Sequence, residues 1–302
     1  MQLLVLAARH GRLLLVAGLV AGLLLQDLAQ AMRPWLPVMV AGLIFIAAFR
    51  IGHRQAATSL EELPRLVGAV LAFQVAVPVV VALAFLVLGM AGTPLAVALT
   101  LMTAAPSVAG SPNLTVMAGG PPVPALRLVI AGTALLPLTV IPVFLLTQGL
   151  GGPAALLWVS LRLTAIILTA AAFAFWLRAR LLPVPDARQV QAIDGASALL
   201  MAVMVIGLMS AAGPALTQEP ARFFTWLAAA FAANFGLQLL AGVLLKTRPD
   251  RTPLSIIAGN RNIALFLVAL PPEITTPILL FIGCYQMPMY LTPLLMRWYY
   301  RG

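Results

Sequence analysis

The sequence predicts an all-α integral membrane protein of ten transmembrane helices, built as an inverted five-plus-five repeat. Three observations carry this reading: a composition too apolar for water, arginines that fall on alternate sides of successive apolar runs, and a proline–asparagine pattern that recurs half a chain later. Of 302 residues, 62% are hydrophobic and only 9% charged, whereas soluble domains average about 25% charged. Mean hydropathy is +1.05. A net charge of +10 would suggest nucleic acid in a soluble protein. Here it reads as orientation, because arginines collect in cytoplasmic loops, and no nucleic-acid partner is expected. The single cysteine, Cys284, excludes an intrachain disulfide and a thiolate metal cluster, and no cofactor is expected.

Apolar runs of about 15–25 residues between charged or Pro/Gly breaks place spans near 12–30, 35–49, 64–89, 94–119, 123–148, 153–178, 195–213, 222–246, 253–271 and 275–298. All five tryptophans fall near span ends, where interfacial rings prefer to lie. With the N-terminus cytoplasmic, inner segments hold fourteen basic residues: Arg9, Arg12, Arg50, Arg54, Arg65, Arg127, Arg178, Arg180, Arg188, Lys246, Arg248, Arg251, Arg297 and Arg301. Outer loops hold two, Arg33 and Arg222, leaving Arg162 and Arg261 inside spans. A wrong span count would scramble this asymmetry, so both termini are expected in the cytoplasm, with the protein in the cell (inner or plasma) membrane. Arg9 and Arg12 before Leu13–Leu25, with Ala29-Gln30-Ala31 after it, have the form of a signal peptide. A retained first helix explains the charges better.

The chain repeats itself. Asn113 and Asn262 are 149 residues apart, Pro121-Pro122 and Pro271-Pro272 are 150 apart, and Pro137 and Pro142 match Pro288 and Pro293 at 151, half of 302. Residues 1–151 and 152–302 would each hold five spans. An odd number turns the second half upside down, as in inverted-repeat transporters.

Two spans are interrupted at corresponding places. The fourth contains AAPSVAGSPNLTVMAGG from Ala104 to Gly120, and the ninth contains Gly259-Asn260-Arg261-Asn262. Backbone groups freed at membrane depth cost several kcal/mol unless protein or water replaces their bonds. Each break presents a carbonyl-rich and an amide-rich helix end. Asn113 and Asn262 stand where the second half-helices would begin, as N-caps. If the breaks meet, they form a polar knot for an ion or ligand. Isolated kinks are the plainer reading of either break alone.

Ten spans, the break Pro106-x-x-x-Gly110-Ser111-x-Asn113 and the break Gly259-x-x-Asn262 resemble the bile acid:sodium symporter family, within the broader bile acid, arsenite and riboflavin transporter superfamily. The resemblance covers essentially the whole chain. It implies that spans 4 and 9 cross inside a core of spans 3–5 and 8–10, with spans 1, 2, 6 and 7 forming a panel. An amphipathic substrate would bind in the cleft, and the panel would move relative to the core. By the same resemblance Gln74, Asn113 and Thr133 would belong to sodium sites. Four positions depart from the family pattern: Pro112 and Val129 replace serines, Ile257 a glutamate and Arg261 a glutamine. These departures count against sodium coupling.

The resulting candidate substrate- and ion-binding residues are Ser111, Asn113, Thr115, Asn260, Arg261, Asn262, Gln74 and Thr133. Gln74 has an interhelical hydrogen bond as its alternative role, and Thr133 a bond to its own helix carbonyl. Arg162 is read as reaching the outer interface or a panel contact, and Gly18-x-x-x-Gly22 as a close-packing motif. All eight acidic residues lie in loops or span ends, and His10 and His53 lie in cytoplasmic segments. That leaves no intramembrane acid pair or histidine cluster for an enzyme. An arsenite-type permease would place a cysteine in the fourth span, and a channel lacks repeated pore rings. The expected function is secondary transport of a small, amphipathic organic anion. The rival is a non-transporting membrane sensor or scaffold.

Arg261 is the one charge placed at membrane depth in either break. An arginine there costs about 2.5–3.5 kcal/mol on insertion scales and needs a partner. Half-helix carbonyls, the amides of Gln74, Asn113 and Asn260, or a bound anion are the candidates. A guanidinium held by carbonyls would act as a tethered cation where the family holds sodium. Direct anion binding and a snorkelling or structural arginine are the other readings.

Overall fold

The computed structural model describes residues 1–61, 63–147 and 152–301. Glu62, the end of the fifth expected span at 148 and the boundary between the halves at 151 lie outside them. So do the side chains of Arg12, Arg54, Arg65 and Arg301.

The described chain is helical and contains no strand beyond one isolated backbone bridge. In order, the helices are α1 (Gln2–Arg9), α2 (Gly11–Leu24), α3 (Gln26–Met32), α4 (Leu36–Glu61), α5 (Leu63–Leu71), α6 (Val77–Val87), α7 (Pro94–Ala104), α8 (Ser111–Met117) and α9 (Pro122–Leu146). They continue as α10 (Pro153–Leu181), α11 (Ala187–Leu208), α12 (Ala212–Gln218), α13 (Pro220–Leu244), α14 (Arg251–Gly259), α15 (Pro272–Leu295) and α16 (Arg297–Arg301). A π turn over Ala72–Ala76 joins α5 to α6, and a 3-10 helix over Ile263–Val268 follows α14. Among the described residues, seven helices are long and apolar enough to cross a membrane, and an eighth arises if the bent pair at the N-terminus counts as one. This is a multi-pass membrane protein.

Several expected spans are not single helices. The first ends at Leu24, and Gln26–Met32 is a separate short helix whose Gln30 donates to the Ser210 carbonyl at 2.8 Å. Residues 2–9, expected outside any span, form α1, turned by 81° from the helix after it. The fourth and ninth spans are each split: Pro106 denies the fourth a continuous ladder of backbone bonds, and the ninth leaves the helix after Gly259. α4 runs on to Glu61 through a kink at Gly52, whose φ of +74° is a left-handed backbone that glycine tolerates. The Arg178 side chain reaches the carbonyls freed there, donating to Phe49 at 2.5 Å and Arg50 at 3.2 Å.

Packing follows the small residues. A Cβ on Gly18 would lie 2.4 Å from the Ala202 carbonyl oxygen, and one on Gly22 2.9 Å from that of Ile206, so the Gly18-x-x-x-Gly22 face lets α2 approach α11 closely. α4 packs on α10 and α11, and Asp194 of α11 pairs with Arg50 of α4. In a second group α13 packs on α14 and α15, while α9 packs on α5 and α8. The fully buried Leu101, Phe144, Phe266 and Phe281 fill the centre.

Candidate functional site

The two breaks meet backbone to backbone. α7 stops at Ala104 because Ala105 is extended and Pro106 follows, and a residue before proline is pushed out of the helical region. α14 stops at Gly259, followed by Asn260 in a non-helical conformation. The extended pieces lie antiparallel, with Ser107 bridged to Arg261. Val108 N–H donates to the Asn260 carbonyl at 3.0 Å, and Asn262 N–H to the Pro106 carbonyl at 2.8 Å. The pairing supplies partners that lipid cannot.

The Arg261 side chain is 2% exposed and does not snorkel. Its Nε donates to the Ala258 carbonyl at 3.0 Å, one terminal nitrogen to Ala105 at 3.1 Å, and the other to Phe73 at 3.3 Å. Ala258 and Ala105 are the orphan carbonyls at the ends of α14 and α7. Phe73 is freed differently. In a π turn its carbonyl is in register with residue 78, and Pro78 has no N–H to give. The guanidinium also lies over the Phe73 ring, 5.1 Å from its centroid. One permanent cation thus joins the third, fourth and ninth expected spans through carbonyl dipoles. Bonds to a charged group are each worth about 1.5–3 kcal/mol, so three together offset the insertion cost.

Around this centre the candidates separate. Ser111 is fully buried, its hydroxyl 2.5 Å from that of Ser107, which donates to the Asn260 carbonyl at 3.3 Å. Thr115 is fully buried too and donates to the Ser111 carbonyl at 2.8 Å. Asn260 is fully buried, and its Oδ1 accepts from Asn234 at 3.3 Å and Thr292 at 3.2 Å. Gln74 accepts from Thr139 at 3.0 Å and packs tightly, since a Cβ on Gly132 would lie 2.5 Å from its Nε2. Asn262 is half-buried and opens the 3-10 helix without a side-chain cap. Thr133 is half-buried, and it is Thr139 that bonds a carbonyl of its own helix, Leu136 at 3.3 Å.

Asn113 stands apart. It is exposed, and the N-cap of α8 is Gly110, three residues earlier. The helix begins at Ser111 because Pro112 fits a first turn, where its missing N–H costs nothing. Arg162 is exposed on α10.

Several partners were missed in the sequence, among them Asn234, Gln238 and Tyr285. Asn234 and Gln238, four apart on α13, are fully buried. Asn234 donates to the Gly259 carbonyl at 2.6 Å, and Gln238 to Asn234 at 2.6 Å. An i,i+4 polar pair in an otherwise apolar span was the available signal. Tyr285 of α15 accepts from the Arg261 backbone at 3.0 Å and donates to Gly259. The network ends at Tyr300, which donates to Gln238 at 3.0 Å. Burial raises the pKa of that phenol.

A cavity of about 250 Å³ opens beside the bridge. Ile44 of α4, Phe175 of α10 and Met201 and Met204 of α11 form its apolar side; Ser107, Thr133, Arg261, Asn262 and Gln286 line the side of the breaks. An apolar pocket with a few convergent polar groups is the form of a small-molecule site. Comparison with models of known protein families and with curated proteins finds no match for this chain.

Proposed function

We propose that the protein is a secondary transporter of a small amphipathic organic anion, working by alternating access at the cavity beside the paired breaks. Ten spans follow if α7 with α8 and α14 with its 3-10 helix each count as one broken crossing and α2 as another. The offsets of 149 to 151 then make residues 1–151 and 152–302 inverted repeats, with both termini cytoplasmic in the cell membrane. The core is α5–α9 with α13–α15; the panel is α2, α4, α10 and α11. This is the architecture implied by the resemblance to bile acid:sodium symporters.

The observation that carries the reading is the cavity itself: apolar on the panel side, polar on the side of the breaks, with Arg261 held by three carbonyls at its edge. Arg261 occupies the role of a bound cation, so transport does not need sodium. Two of its five N–H groups remain for the anion, and helix N-termini at the breaks add positive potential.

The test is exchange of labelled steroid-like and branched carboxylates in proteoliposomes, in sodium and in choline at matched ionic strength. Saturable counterflow in both buffers is expected. Binding without counterflow means a sensor or scaffold. An affinity that rises tenfold with sodium, about 1.4 kcal/mol, overturns the tethered-cation role.

A further inference from the structure

We infer that a groove between α1 and α11 binds the phosphate headgroup of an anionic phospholipid, independently of what the central cavity carries. Gln2, Val5, Leu6 and Arg9 recur at intervals of three and four and share one face of α1; they line the groove together with Arg188 and Gln191 of α11. The helices touch where a Cβ on Gly195 would lie 1.8 Å from the Leu4 carbonyl oxygen. The groove lies on the side of this contact toward the start of α11.

Charge and orientation agree on the occupant. Arg9 and Arg188 are both exposed, and no hydrogen bond or ion pair engages either side chain among the described residues. Among the described residues, no acid lines the groove. The two nearest carboxylates on α11 are engaged: Asp186 caps the helix by accepting from Gln189 N–H at 2.7 Å, and Asp194 pairs with Arg50. The first turn of α11 adds the positive end of its dipole. α1 is turned by 81° from the helix that follows, so with that helix crossing the bilayer, α1 lies near the membrane plane. Its Leu3 and Leu6 are 80% and 52% exposed, an apolar surface suited to the acyl boundary. Two free guanidinium groups beside apolar wall and two amides match a phosphodiester with its acyl chains better than a free ion.

The full-length protein would be placed in phosphatidylcholine nanodiscs with and without phosphatidylglycerol, and bound lipid counted by native mass spectrometry. Wild type is expected to retain phosphatidylglycerol selectively, and Arg9→Gln/Arg188→Gln to weaken retention about tenfold. Arg9→Lys/Arg188→Lys should keep most of it, and Arg33→Gln/Arg222→Gln all of it. Equal melting in pure phosphatidylcholine separates a binding defect from misfolding; if the glutamine pair melts early, the two single variants are compared instead. Undiminished retention by the glutamine variants overturns the inference. So does competition by millimolar inorganic phosphate, which would mark a free-anion site.

Discussion

The Arg261 guanidinium donates to the Ala105 carbonyl at 3.1 Å across 156 residues of chain. That bond ties the end of α7 to the break after α14. It makes a buried charge part of the backbone bonding at two interrupted helices, and the neighbouring bonds to Ala258 and Phe73 complete it.

Arg261→Ala would leave three carbonyls without their donor, and each buried polar group left unpaired costs about 1–3 kcal/mol. Arg261→Lys keeps the charge but cannot reach all three acceptors with one compact ammonium, so its loss should be about 2 kcal/mol. Thermal unfolding in detergent should rank wild type above lysine and lysine above alanine. Equal melting of lysine and wild type would mean the fork geometry is irrelevant.

The double variant Arg261→Gln/Ile257→Glu restores the two side chains that the resemblance associates with sodium. It should gain a rise in melting temperature in sodium chloride over choline chloride, while wild type shows no difference. Ile257→Glu alone, buried at 2% exposure, should melt lower than wild type in both salts.

Gly132→Ala would drive a Cβ to 2.5 Å from Gln74 Nε2. Overpacking of this kind costs about 1–3 kcal/mol. Gln74→Ala, which loses an interhelical bond worth about 0.6 kcal/mol, should recover most of that loss when combined with it. A strictly additive double variant would show that the two residues do not meet.

The asparagines should differ sharply. Asn234→Leu removes the donor to Gly259 and the acceptor of Gln238, both at 2.6 Å, and should cost about 2–3 kcal/mol by leaving buried polar groups unpaired. Asn113→Ala, at an exposed position, should stay within about 0.5 kcal/mol. Parallel melting curves decide it, and similar losses in both would place Asn113 in the bonded network.

Much of the architecture was legible because its causes are local. Sixty-two per cent hydrophobic residues require a membrane; Pro106 ends α7 because the residue before a proline leaves the helical region, and Pro112 suits the first turn of α8 because its missing N–H costs nothing there. Arg261 was recognisable as needing a partner for the same local reason: an isolated charge at that depth is costly. What residue order left open was which way each helix faces. Asn113 and Asn260 both flank breaks, yet one is exposed and the other fully buried. Rotation about a helix axis is settled by packing against distant segments, here by the Gly259 contact with α13, where a Cβ would lie 2.1 Å from the Asn234 carbonyl oxygen. The π turn that releases the Phe73 carbonyl, and its meeting with a guanidinium 188 residues later, likewise exist only once the third and ninth expected spans lie side by side, because a carbonyl without a local donor must find its partner across space.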